Sequence, residues 1–408
     1  MMLFVREMKK VMCSVAYLLF VVILVVALYS QGVFHFGKDV LEEPQPGQNY
    51  GVRNVESPEQ IMPAAYDSLW WEFTVNQYTT YPIGLYKIVH LNETEKEQMA
   101  QILSRLNGVD KTKLLESPEE MPPLREGLTY EEFKRCMDEA DRLLGGGSEY
   151  APNSLIGFGT EDITYEEAKV EYQLVRDKDK FTGGYARLFC DYAGAIVLSI
   201  LPVFLAIVLC LKDRRARMEE LIYSRRASSW KIVWVRYAAV LASVMLPVIL
   251  LSYYSNMKVW GLYKGLKLDY LAPLKYDFGW LLPSVMVTAA LGMLLTELTG
   301  TPAAAAVQCL WWFMDINAGY KDVQSSYALL RLAPRHNAGI NSRFRITDFL
   351  GNFNRLVQNR LLMAGIALAL VALTVCVYEW KRRGIIGGRK RIKGIFTGIF
   401  SRKNEHAA

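Results

Sequence analysis

VMCSVAYLLFVVILVVALYSQGV, residues 11–33, decides how the rest of the chain is read, because it contains no charged residue. A helix needs about 20 apolar residues to cross the hydrocarbon core of a bilayer. In lipid its backbone groups must bond within the segment, so the run is expected to be one membrane-spanning helix. Arg6, Lys9 and Lys10 precede it and hold the N-terminus in the cytoplasm by the positive-inside bias. A cleaved signal peptide has an apolar core of about 7–15 residues that ends at small residues. This run is longer, and Leu28, Tyr29 and Gln31 make a poor cleavage site.

From this helix outward the chain divides by composition. Of its 408 residues 52% are hydrophobic and 22% charged, a mixture that suits a membrane protein with a substantial aqueous part. Residues 35–185 are acidic and of low hydropathy, and with the first helix running outward they form an extracytoplasmic α+β domain. Within it, Trp71, Phe73 and Val75 alternate with Glu72, Thr74 and Asn76, which predicts a half-buried strand, and IGLYKIVHL at 83–91 is also strand-like. Met99, Ile102, Leu103 and Leu106 have helical spacing, and Asn107-Gly108 supplies a stop. LTYEEF at 128–133 and ITYEEA at 163–168 are helix starts, with Thr129 or Thr164 as cap and Glu132 or Glu167 reaching back. Asn92-Glu93-Thr94, a glycosylation sequon in form, is more simply another cap. Gly145-Gly146-Gly147 ends the helix that Thr129 begins and lacks the Lys-Ser/Thr ending of a phosphate-binding loop.

Further apolar runs follow at 188–211, 232–254, 280–298, 303–314 and 361–378, so about six transmembrane helices are expected, with both termini cytoplasmic. Arg187 and Asp191 are spaced to pair at the outer end of the second run, and Arg236 lies close enough to the inner surface to snorkel. Residues 256–277 are read as a short outer loop and 319–360 as a longer one whose short helices dip toward the membrane. The fifth run is short, and the fourth and fifth together also suit a re-entrant hairpin. Gln308 and Glu297 are the notable polar groups of the spans, Glu297 facing water near an inner end. The basic tail, 381–408, is either a surface-lying amphipathic helix against membrane lipids or a solvated segment.

Known chemistries leave little trace. The four histidines are scattered without ligand spacing, the six cysteines lie mostly in apolar runs, and no nucleotide loop or Ser-His-Asp set is present. Neither a metal, a catalytic residue nor a nucleic-acid partner is expected. Against this background one segment stands out: MEELIYSRRASSWK at 218–231, a short apolar helix between acidic and basic ends in the cytoplasmic loop 212–231. It resembles the inner loop of type-2 ABC transporter permeases. VREMKK at 5–10 is similar to the interface helix before their first span, and YARLFCDY at 185–192, APRHN at 333–337 and NRL at 359–361 look like further pieces of a bacterial subgroup with a large outer domain between the first two spans.

The resemblance implies a membrane subunit of the bacterial plasma membrane without its own ATPase site. ATP would be bound by a separate ABC ATPase, and two permease halves, identical or related, would pair around a central path. It further implies that Glu219, Glu220, Leu221, Ile222, Arg225, Arg226 and Ser228 dock the ATPase, with Arg6, Glu7, Lys9 and Lys10 on the interface helix. Under these expectations the chain divides into 1–34, interface helix and first span; 35–185, the outer domain; 186–380, spans two to six; and 381–408, the tail. The alternative, from another class, is a membrane-anchored sensor or ligand-binding protein that does not transport.

Overall fold

The computed structural model describes residues 2–35, 40–82, 86–216, 222–223, 227–317, 326–336 and 345–385. The chain is mostly helical, 70% helix, with little sheet. Among the described residues three helices are long and apolar enough to cross a membrane, and the number rises to five if each of two bent helix pairs is one span. These features are compatible with a multi-pass membrane protein.

The opening run is two helices rather than one. Helix α1 (Met2–Met12) and helix α2 (Val15–Ser30) meet at 67°. The cause is Ser14, whose hydroxyl donates to Val11 O at 2.6 Å and accepts the Tyr17 N–H at 3.2 Å, with extended backbone at the break. The side chain thus closes one helix and caps the next. Helix α2 is apolar all round, yet buries only the stripe Phe20, Leu24 and Leu28. Leu18, Val22, Val26 and Tyr29 are exposed, as on a helix that meets lipid.

The acidic insert has a hydrophobic core drawn only from residues between Ile61 and Leu155. It is built from α3 (Pro58–Val75), α4 (Glu93–Asn107), α5 (Lys111–Glu116) and α6 (Tyr130–Leu143). Strand β1 (Val52–Asn54) pairs antiparallel with β4 (Thr160–Asp162), and β2 (Tyr78–Thr80) with β3 (Lys87–Val89). The strand expected at 71–76 is the end of α3 instead. Tyr66, Leu69, Trp70 and Phe73 are the buried residues, at helical spacing, while Trp71 and Val75 are exposed. A longer 3.6-residue pattern outweighs a short alternation. Asn76 then ends α3 in the left-handed region, and its side chain grips both backbone groups of Leu91. Of the second expected strand only Lys87–Val89 pairs, and residues 83–85 lie outside the described set. The caps are as expected at Asn92 and at Thr164 of α7 (Tyr165–Leu174), each a reciprocal capping box. Thr129 caps α6, whereas Glu132 turns away to pair with Arg125 at 2.7 Å.

The second apolar run is broken. Helix α8 (Gly183–Tyr192) continues into a wide π-type turn, Ala193–Leu198, and α9 (Pro202–Arg215) leaves at 43°. Pro202 has no N–H to donate and the wide turn frees carbonyls. Trp312 Nε1 bonds Ala195 O at 2.7 Å and Gln308 Nε2 bonds Ser199 O at 2.6 Å, so Gln308 is a structural donor to the break. Both belong to α13 (Ala303–Asn317), whose 15 residues span about 22 Å, short of a hydrocarbon core.

Helix α10 (Ser229–Leu262) runs past the expected end of the third span, and a short helix, α11 (Ala272–Tyr276), passes through a π-type turn into α12 (Leu282–Thr299). The loop expected at 256–277 is therefore helical at both ends, with irregular chain at 263–271. Helix α14 (Ile346–Arg382) begins well inside the stretch read as an outer loop and spans about 55 Å. The main hydrophobic core lies where α2, α8, α9, α10, α12 and α14 meet.

Candidate functional site

At one end of the bundle α1 packs against the start of α2, the end of α9 and the start of α10. Glu7 and Lys10 lie one turn apart on α1, the spacing that puts side chains on one face. Lys10 Nζ reaches Glu7 at 2.9 Å and Asp213 on α9 at 3.2 Å. Arg236 on α10 bonds Asp213 and lies 3.6 Å from Glu7. Two cations and two anions thus form a closed neutral group. The Arg236 and Glu7 side chains are each only 5% exposed, so Arg236 is locked in the bundle and does not snorkel. Arg6 and Lys9, on the other face of α1, are exposed.

Beside this group the last turn of α14 grips the loop that follows α9. Arg382 Nε donates to Tyr223 O at 2.9 Å and its Nη1 to Ala227 O at 2.9 Å. The Ser229 hydroxyl bonds Glu379, and Tyr223 meets Tyr378 edge-on at 5.4 Å. Lys381 pairs with Glu297 at 3.4 Å, so Glu297 is a buried partner rather than a water-facing group. Ser228 caps α10 by accepting the Lys231 N–H at 3.3 Å, and Ile222 is half-buried. Glu219, Glu220, Leu221, Arg225 and Arg226 lie outside the described residues. The structure therefore joins Glu7, Lys10 and the base of the 212–231 loop. Sequence reasoning missed Asp213, Glu379 and Arg382. Their signal was position alone: polar groups in the last turns of helices flanking the loop.

The opposite end holds a polar plug. Residues 326–336 are irregular chain, most of it buried among helices, which is tolerable only if neighbours satisfy its backbone. Asn359 Nδ2 donates to the carbonyls of Ala328, Leu329 and Arg331 at 2.7, 2.9 and 2.9 Å. Arg360 donates to Arg331 O at 3.0 Å and Trp280 O at 2.9 Å, and Asp315 accepts the amides of Leu332 and Ala333. His336 N–H donates to Asp191 at 2.9 Å. Arg187 forms an ion pair with Asp179 at 2.7 Å, a partner the sequence reading did not name. The stretches YARLFCDY, APRHN and NRL, scattered in sequence, thus meet here, with Asn337 outside the described residues.

Among the described residues no group of three or more His, Cys, Asp and Glu side chains is arranged to hold a metal. Comparison with protein-family models, with curated proteins and with solved structures finds no match to this chain.

Proposed function

We propose that the chain is the membrane-spanning permease subunit of an ATP-driven transporter of the type-2 ABC class, energised by a separate ATPase and acting as an exporter. On this reading six spans place both termini in the cytoplasm of a bacterium, and the acidic insert is extracytoplasmic. The chain carries no ATP site and pairs with a second permease half, a copy of itself or a relative.

One observation supports the reading above the others. Glu7, Lys10, Asp213 and Arg236 tie a helix bent 67° from its neighbour to the base of the loop that resembles an ATPase-docking element. Arg382 and Glu379 fasten the same loop to α14. A push on 218–231 would therefore reach α1, α10 and α14 together, which a passive anchor has no need to arrange.

The test is co-purification with a candidate ABC ATPase, followed by ATP turnover in lipid. Glu219→Lys with Glu220→Lys is expected to leave insertion intact and abolish binding or coupling, since breaking desolvated interfacial charge pairs costs about 2–5 kcal/mol. Reversing Arg402 and Lys403 in the tail should do little. A loop variant with wild-type ATPase binding and coupled transport would refute the docking assignment. Orientation is checked separately with Lys111→Cys and Arg142→Cys, both exposed on the insert, in a background without Cys13 and Cys376. Labelling by an impermeant thiol reagent only after cell rupture would reverse the topology.

A further inference from the structure

A cavity of about 490 Å³ opens beside the polar plug, between the start of α8, α11 with the turn after it, and α14. Its inner wall is aromatic: Tyr276, Trp280 and Phe349 lie with ring centres 6.1–6.3 Å apart. Its flank continues along Phe353, Val357 and Leu361, spaced four apart on α14 and therefore on one stripe. These three are 45%, 37% and 68% exposed, so the cavity runs out onto an apolar helix face.

The charges around it do not cancel. Asp179 is matched by Arg187 at 2.7 Å, and Asp269 by Lys275 at 2.5 Å. The neighbouring Asp177 is held by Arg176 at 3.0 Å. Lys178 at the mouth and Arg360 in the wall remain, and among the described residues no carboxylate oxygen lies within 4 Å of either. Arg360 is 5% exposed and its N–H groups are taken up by carbonyls, Ser284 and Asn359, so it supplies a field rather than a contact. Asp315 in the plug lies near enough to act on the Arg360 charge, so the cation left without a matching carboxylate at the cavity is Lys178. Lys178 and Lys275 are exposed at the mouth and supply the contacts, Lys275 while shared with Asp269.

We infer that this cavity binds an anionic membrane phospholipid, its phosphate between Lys178 and Lys275 and one acyl chain along Phe353, Val357 and Leu361. A polar anionic head joined to an apolar tail is the shape and charge that the mouth and the stripe ask for together. Aromatic rings at this level suit the zone between headgroups and hydrocarbon. The inference deepens the permease reading by naming a class of molecule that could enter sideways from the membrane. Only its membrane setting rests on that reading. Lipid binding is measured on the chain without an ATPase, so either idea can fail alone.

The experiment is native mass spectrometry of the full chain in detergent, titrated with a phosphatidylglycerol or a phosphatidylcholine of the same acyl chains. Saturable, preferential retention of phosphatidylglycerol is expected. Lys178→Gln with Lys275→Gln should weaken it about tenfold, from the loss of attraction at two lysines, one of them already shared with Asp269. Gly279→Leu blocks the cavity by another route. Gly279 lines the cavity and a Cβ there meets nothing within 4 Å, so the backbone accepts a side chain at this position. Equal retention of both lipids or wild-type binding by both variants would overturn the proposal. So would a chain that stays lipid-free as a dimer, because a second copy would then cover the stripe.

Discussion

Asp213→Asn is the sharpest probe of how α1 is held. The substitution removes one of four charges that sum to zero and strands Arg236, whose side chain is 5% exposed, against Glu7 at 3.6 Å. Lys10 also competes for Glu7, at 2.9 Å. Stripping one partner from a buried pair costs about 3–5 kcal/mol. Glu7 remains nearby and the Asp213 side chain is 14% exposed, so water relieves part of the penalty. The expected loss is about 2–3 kcal/mol. Adding Arg236→Met removes the stranded charge, leaves Glu7 and Lys10 balanced, and should recover more than half of it. Unfolding in mixed micelles by anionic detergent gives the free energies. Trypsin cleavage at exposed Arg6 and Lys9 reports release of α1. If Asp213→Asn stays within about 0.5 kcal/mol of wild type, or the double variant is no better than the single, the network does not anchor α1.

Arg382→Ala should free the carbonyls of Tyr223 and Ala227, raising proteolysis within 212–231 while α14 still inserts; an unchanged cleavage pattern would show that the clamp is idle. Gly147→Ala should destabilise the insert by about 2 kcal/mol or more, read by thermal unfolding. Its φ is +80° and a new Cβ would lie 2.6 Å from Tyr81 O, so a silent variant would contradict the packing there. Glu72 links the insert to pH. Burial raises its carboxyl above the usual range, against the lowering effect of the Thr79 N–H and Tyr150 hydroxyl that donate to it. The folded state therefore holds this proton when the unfolded chain has lost it, and the contribution is full below the unfolded pKa and lost as pH rises through the folded one. Glu72→Gln should flatten the fall in insert stability over that window, and an unaltered pH profile would exclude Glu72 as its source.

Much of this architecture was legible in the residues. Caps at Asn92, Thr129 and Thr164 are local chemistry, since each side chain bonds a backbone amide three residues away. The α4 core positions follow from spacing alone, and Gly108 and Gly300 end their helices in the left-handed conformation that glycine adopts without strain. The break at Ser14 was legible too, as a serine able to cap α2, but the unbroken apolar composition of 11–33 hid it. At 71–76 three alternating pairs mimicked a strand because the window was too short to show the stripe running back to Ile61.

The sequence by itself determined where apolar helices lie, which segment is polar, and which residues begin and stop the helices, because periodicity and capping act over a few residues. Only the tertiary structure decided the partners of the buried charges. Arg187 pairs with Asp179, eight residues before it and ahead of its own helix, and Arg236 with Asp213 and Glu7 from two other helices. Asn359, Arg360 and Gln308 spend their donors on carbonyls 28 to 109 residues distant. A buried polar group must find a partner somewhere, and which one it finds is set by how helices cross and break, information that no local window contains.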